Sequence, residues 1–176
     1  MRTKEFIIEA IKKLLEKHTF ENITVQDIAD EAGVAKTTFY RHFESKYELA
    51  TAIFSEYITR STFLQYNGEN YYEMNEKIFV FLKDNKGYFS KLFKMTGQES
   101  FYIFLVKYIS EFCVQQAENR FGIEKLSDKQ LFKIDMLANA WAHSIKSWVE
   151  YGCKVPCREW LSWMEEMNLT IESIFS

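Results

Sequence analysis

The sequence predicts an all-α protein, and three observations carry that prediction. First, average usage of about 7% Gly and 5% Pro would give roughly 12 and 9 of them in a chain of this length. The 176 residues hold 6 Gly and 1 Pro, too few for the turns of a sandwich or a Gly-looped α/β fold. Second, apolar residues recur at helical spacing along most of the chain. Third, hydrophobic residues make up 47% and charged residues 27%, the balance of a folded globule and not of a disordered chain.

The elements follow in order. Residues 3–17 place Phe6, Ile7, Ala10, Ile11, Leu14 and Leu15 on one face and charges on the other, an amphipathic helix that His18-Thr19 closes. Thr24-x-x-Asp27 is a capping box for a second helix, with Ile28 and Ala29 facing inward. Ala32-Gly33-Val34 breaks it, because Gly33 accepts positive φ and Val34 returns to the core. A short third helix spans about 35–41, and Phe43 anchors the turn after it. Ser45-x-x-Glu48 starts a long helix from Lys46 to about Phe63, followed by a loop at Asn67-Gly68-Glu69-Asn70. Further helices are expected at 71–84, 87–95, 99–121, 128–152 and 157–175. Ser127 caps the fourth of these, and Pro156 stands at the start of the last.

Residues 24–46 therefore spell helix, tight Gly turn and short second helix, the geometry of a helix-turn-helix. Ile28, Ala32, Val34, Phe39 and Phe43 lock the pair, leaving Lys36, Thr37, Thr38, Tyr40 and Arg41 outward. Those side chains are donor-rich, as contacts to bases and phosphates require. From 36 to 46 three cations face one carboxylate (Glu44), although the whole chain has net charge −3 and residues 1–50 hold 8 Lys+Arg against 9 Asp+Glu. A DNA-binding surface must be a local patch.

The run of Thr24, Ile28-Ala29, Ala32-Gly33-Val34, the Thr38-Phe39-Tyr40-x-His42-Phe43 block and Ser45-Lys46-x-x-Leu49 resembles the signature of the TetR family of transcriptional regulators over about residues 5–55. Thr19 stands where many members carry Gly. The resemblance implies a three-helix DNA-binding domain at 1–48 and a helical effector-binding and dimerisation domain at 49–176. It implies that Lys36, Thr37 and Thr38 face base edges, and that Tyr40, His42 and Lys46 reach phosphates. Thr24 caps the second helix at the DNA backbone, with Gln26 and Arg41 as further contacts. The implied protein is a ligand-responsive repressor that binds a palindromic operator as a homodimer. The alternative is a co-regulator that kept the corner, lost DNA binding and acts through protein contacts.

Of 30 aromatic residues, 24 fall after residue 48. Stripes such as Phe101, Phe104, Leu105, Tyr108 and Phe112 are first of all core. A sharper reading is a pocket for a small apolar or aromatic effector, with Tyr88, Phe89, Phe93, Phe104, Tyr108, Trp141 and His143 as its candidates by position. For dimerisation, the last helix sets Trp160, Met164, Met167, Ile171 and Ile174 on one seam. The helix before it carries Ile134, Leu137, Ala138, Trp141, Ile145 and Trp148 on one side and small Ala140, Ser144 and Ser147 on the other. The expected interface takes Ser144, Trp148, Trp160, Met164, Met167 and Ile171.

Other classes find little support. There is no phosphate loop, nucleophile elbow or carboxylate dyad, and only three His, so no enzyme and no cofactor are expected. Cys153-x-x-x-Cys157 is not a zinc pair, and only Cys113 and His143 could complete a site, so no metal is expected. The two thiols read as free groups at a turn, with a redox bridge as the sharper option. The charged start after Met1 is not a signal segment, and no run of about 18 apolar residues exists. With three cysteines, a reducing cytoplasm is the expected compartment.

Overall fold

A computed structural model describes residues 2–61 and 71–175. The loop expected at 67–70 and the end of the helix before it lie outside the described residues. Every element is helical: α1 (Arg2–Lys17), a 3₁₀ turn (Phe20–Asn22), α2 (Val25–Glu31), α3 (Lys36–Tyr40), α4 (Lys46–Ser61), α5 (Tyr71–Asp84), α6 (Lys86–Leu92), α7 (Phe101–Phe121), α8 (Asp128–Glu150), α9 (Cys157–Glu166) and α10 (Glu172–Phe175). The chain forms two compact units, Met1–Phe63 with Gly87–Phe101, and Leu64–Lys86 with Tyr102–Ser176.

In the first unit, the apolar stripe of α1 (Ile7, Ala10, Ile11, Leu15) is buried together with Ile28 and Ala29 of α2, Phe39 of α3 and Leu49, Ala50, Phe54 and Ile58 of α4. Burial of the Ile, Leu and Phe side chains among these stabilises by about 1.5–3 kcal/mol each before entropy is counted. The segment 87–101 adds a ring cluster. Phe54 meets Phe89 and Phe101 edge-on at centroid distances of 6.1 and 5.7 Å, and Phe93 meets Phe101 at 5.0 Å. The Tyr88 hydroxyl donates to the Ala50 carbonyl at 2.9 Å, so this buried polar tip is satisfied.

In the second unit, the inner face of α8 (Ile134, Leu137, Ala138, Trp141, Ile145, Trp148) is buried as its periodicity predicts. Trp148 lies 4.8 Å from the Phe79 ring of α5, and its Nε1 donates to the Val155 carbonyl at 2.9 Å. Arg158 of α9 donates twice to the Glu76 carboxylate of α5, at 2.8 and 3.0 Å. That pair holds Glu76 below its usual carboxylate range.

The Thr24 capping box forms, and the Ser127 cap proves to be a capping box as well. Thr24 Oγ1 accepts from Asp27 N at 3.1 Å while Asp27 accepts from Thr24 N at 2.8 Å, and Ser127 exchanges the same pair of bonds with Gln130. One expectation is overturned: a single last helix over 157–175 does not exist. The helix stops at Met167, Asn168 takes φ 58, and Leu169 N returns to Met164 O at 3.0 Å while Asn168 N bonds Glu165 O at 2.8 Å. This is a Schellman stop with Asn in the left-handed position, and Asn tolerates that position better than other side chains do.

Candidate nucleic-acid interface

The helix-turn-helix is built by local rules. The capping box starts α2, and the Thr24 bonds hold the Asp27 carboxyl below its ordinary value. At the other end Gly33, at φ 66, lets Val34 N reach Ala29 O (2.9 Å) and its own N–H reach Asp30 O (3.1 Å). A second Schellman stop thus makes the turn. Phe39, wholly buried, fixes α3 by its middle, with the Phe43 ring 5.9 Å away.

That burial decides what α3 presents. Lys36, Thr37 and Arg41 are exposed, and Tyr40 keeps about half of its surface (51%) in solvent. Thr38 and His42 are half-buried. Arg41 donates from Nη2 to Thr38 Oγ1 at 3.0 Å, so the two form one polar group on the outer face. Thr24 and Gln26 stand at the start of α2, both exposed but engaged: the Thr24 hydroxyl donates to Asp27 at 2.7 Å, and Gln26 Nε2 donates to Asp30 at 2.8 Å. The remaining expected contact, Lys46, is placed differently. Its ammonium donates to the carbonyls of Ile23 (2.7 Å), Phe20 (3.0 Å) and Glu21 (3.2 Å) instead of standing free for a phosphate. Sequence spacing could not find this, because the acceptors lie 23 to 26 residues earlier in a turn that periodicity does not reveal.

The effector candidates fall in both units. Tyr88, Phe89 and Phe93 belong to the closed ring cluster of the first unit. Phe104 and Tyr108, half-buried on α7, pair at 5.9 Å in the second, where burial pushes the Tyr108 hydroxyl up to about 12. Trp141 faces inward and donates to Leu169 O at 2.9 Å, whereas His143, two residues on, is exposed on the outer side of α8. The interface candidates divide by burial within the single chain. Ser144, Trp148 and Met164 are buried within the subunit, and Ser144 Oγ accepts from Trp160 Nε1 at 2.6 Å. Ile171 is half-buried between α9 and α10, and only Met167 (71% exposed) faces out. Sequence reasoning passed over the residues on that outer side: Phe132 (63%) and Met136 (48%) of α8 and Trp163 of α9. Their signal was legible, since Phe132, Met136, Ala140 and His143 follow one another at helical spacing. An open groove of about 400 Å³ runs beside them, lined by Phe132, Lys133, Met136, Leu137, Leu169 and Ile174 among others. Among the described residues no cluster of three metal-ligating side chains occurs, and no helix is long and apolar enough to cross a membrane.

Two family models match the chain. One, described as bacterial regulatory proteins of the tetR family, covers residues 7–53. The other, a transcriptional regulator C-terminal region, covers residues 69–168. The chain belongs to the TetR family. This TetR-family transcriptional regulator is 28% identical over 93 residues to the dhaKLM operon transcriptional activator DhaS of Lactococcus lactis, a stretch of 52% of this chain and 49% of that protein. It is 41% identical over 58 residues to the uncharacterized regulator YerO of Bacillus subtilis (33% of this chain, 20% of that one). With an uncharacterized regulator of Haemophilus influenzae it shares 34% over 56 residues (31% and 27%). The matched stretches thus span about half or less of these curated relatives.

Solved structures share the fold over nearly the full chain. A dihydroxyacetone kinase operon activator, DhaS, superimposes with a TM-score of 0.62 at 20% identity, covering 95% of this chain and 94% of that one. The FadR of Bacillus halodurans, a fatty acid degradation regulator, gives 0.57 at 17% (95% and 94%). The FadR of Thermus thermophilus, a repressor solved with lauroyl-CoA, gives 0.55 at 19% (94% and 93%). The all-α fold, with its DNA-binding helix-turn-helix followed by a helical C-terminal region, is that of these TetR-family regulators.

Proposed function

We propose that the regulator binds a palindromic operator as a homodimer, laying α3 in the major groove, and that an effector bound in residues 49–176 lowers operator affinity. Residues 1–48 serve as the DNA-binding domain, in the cytoplasm. The observation that carries the reading is the outer face of α3: Lys36, Thr37, Tyr40 and Arg41 exposed beside a Phe39 that is wholly buried. In this reading Lys36, Thr37 and Thr38 meet base edges, and Tyr40 and His42 meet phosphates, with Thr24, Gln26 and Arg41 as flanking contacts. The dimer forms through the outer faces of α8 and α9, where Phe132, Met136, Trp163 and Met167 are exposed. A two-fold dimer presents two copies of α3 to two half-sites. The effector shifts the balance between two states by its difference in affinity for them. Its class is a small apolar or aromatic molecule, with Phe104 and Tyr108 the half-open members of the candidate set.

Repression by occupancy of the operator is the simplest outcome. Activation is the second reading, favoured by the similarity to DhaS, itself an activator. Fluorescence anisotropy with the duplex upstream of the regulator's own gene, over a range of salt, tests DNA binding. Tight, salt-steep binding is expected, because neutralised phosphates release counterions. Lys36→Ala should reorder the preference among duplex variants, and Tyr40→Phe should weaken all of them alike. Failure to bind even random duplex at low salt would return the protein to the co-regulator class. A transcription assay on the bound promoter separates repression from activation.

A further inference from the structure

The three carbonyls that receive Lys46 belong to the 3₁₀ turn and the residue that closes it, immediately before Thr24 caps α2. An ammonium has three N–H donors and no acceptor, so three carbonyls use its whole capacity. The cage is aromatic on its other sides: Nζ stands 4.8 Å from the Phe20 ring centroid and 5.6 Å from that of Tyr47. Those rings meet each other at 5.1 Å, and Phe20 is buried. The stem of Lys46 begins at the first residue of α4. One side chain therefore ties the start of α4 to the turn that delivers α2.

We propose that Lys46 is a positioning residue of the DNA-binding fold and not a phosphate contact. It sets where α2 begins relative to α4, and through the Gly33 turn it sets the aim of α3. The proposal rests on the DNA-binding reading above for its functional consequence, while the cage itself stands on geometry alone. Leaving the cage for a phosphate would give up three hydrogen bonds, the part-buried one to Ile23 O among them, in exchange for one charge-assisted bond; the Phe20 carbonyl would keep its backbone partner, Ile23 N at 3.2 Å. Lysine is also the residue the geometry demands. A guanidinium spreads its donors in a plane and cannot converge them on three oxygens around a point, whereas at a phosphate arginine serves at least as well as lysine.

Pulse acetylation of the free, folded regulator, read by mass spectrometry, tests the cage without any DNA. Lys46 should react about tenfold more slowly than exposed Lys36, the contrast expected when an amine must first leave its hydrogen bonds. Adding random-sequence duplex at low salt should slow Lys36 and leave Lys46 unchanged. A Lys46 that reacts as fast as Lys36 and is shielded by the duplex overturns the proposal. Lys46→Arg and Lys46→Met, checked for helicity by circular dichroism, supply the second arm. Both should lose about tenfold in duplex affinity while the slope of log affinity against log salt stays that of the parent. Full affinity in Lys46→Arg with a slope reduced by about 0.9 in Lys46→Met would instead be the mark of a phosphate contact. A parent that binds no duplex while Lys46 remains protected refutes the DNA-binding reading and leaves the cage standing.

Discussion

Thr24 shows how much one side chain can be asked to do. Its hydroxyl accepts from Asp27 N and donates to the Asp27 carboxylate, so both of its functions are used inside the protein. Thr24→Ala should lower the melting temperature by a few degrees, a typical consequence of losing a cap. The effect has a pH signature. The folded-state Asp27 carboxyl titrates below its ordinary value because Thr24 donates to it. Its stabilising contribution is present above the unfolded value of about 3.9 and is lost as pH falls through the lower folded value. The gap between parent and Thr24→Ala should therefore hold from neutral to mildly acidic pH and narrow only in strong acid, where the bond from Asp27 N remains. A gap unchanged there would detach the cap from Asp27. The cysteines give a second prediction at this scale. Cys113 is wholly buried and its thiol is pushed up to about 12, whereas Cys157 is half-buried beside Glu76. Thiolates are the reactive form, so iodoacetamide should modify Cys157 long before Cys113 in the folded protein. Equal rates would show that the second unit opens readily.

Among the elements, the turn between α2 and α3 and the stop after α9 obey one rule. Each ends a helix with a residue in the left-handed region and two backward hydrogen bonds, Gly33 in the first and Asn168 in the second. At Gly33 a methyl group would meet nothing within 4 Å, so only the backbone opposes a side chain there. Gly33→Ala should cost about 1 kcal/mol, measured by urea unfolding, the strain of holding an L-residue at positive φ. A neutral result would mean that the turn relaxes to another shape. Both stops were written locally, but only the glycine was conspicuous. The Asn168 stop hides in an apolar seam whose spacing runs on through it from Met164 to Ile174. Periodicity shows which residues share a face and is blind to whether the axis continues.

For the whole molecule the decisive question is which surface a second copy covers. Phe132 and Met136 on α8 and Trp163 and Met167 on α9 are large, apolar and exposed, while Trp148 and Met164 are spent on the subunit's own core. Phe132→Asp with Met136→Asp should give a folded monomer by light scattering and weaken operator binding, since one half-site then binds without its partner. A variant that remains a dimer would move the interface elsewhere. Trp148→Ala should instead cost about 3–5 kcal/mol by emptying a packed site, and so should report on folding and not on assembly.

What the sequence determined by itself was local: the helical periodicity, the Thr24 box, the Ser127 cap, the Gly33 turn and the buried inner face of α8. These are decided by neighbours within a few residues, through backbone hydrogen bonds and the 3.6-residue repeat. The helix-turn-helix and the residues that resemble a family signature belong to this class, which is why function was legible early. The tertiary structure decided where long side chains go. Lys46 could have met solvent, a phosphate or a carbonyl, and a turn folded more than twenty residues earlier supplied the carbonyls. It also divided Trp141 from His143, and Trp148 from Phe132, as inside and outside of one helix with two apolar faces. A helical pattern names the faces of a helix, and only the packing of other elements settles which face is left for a partner.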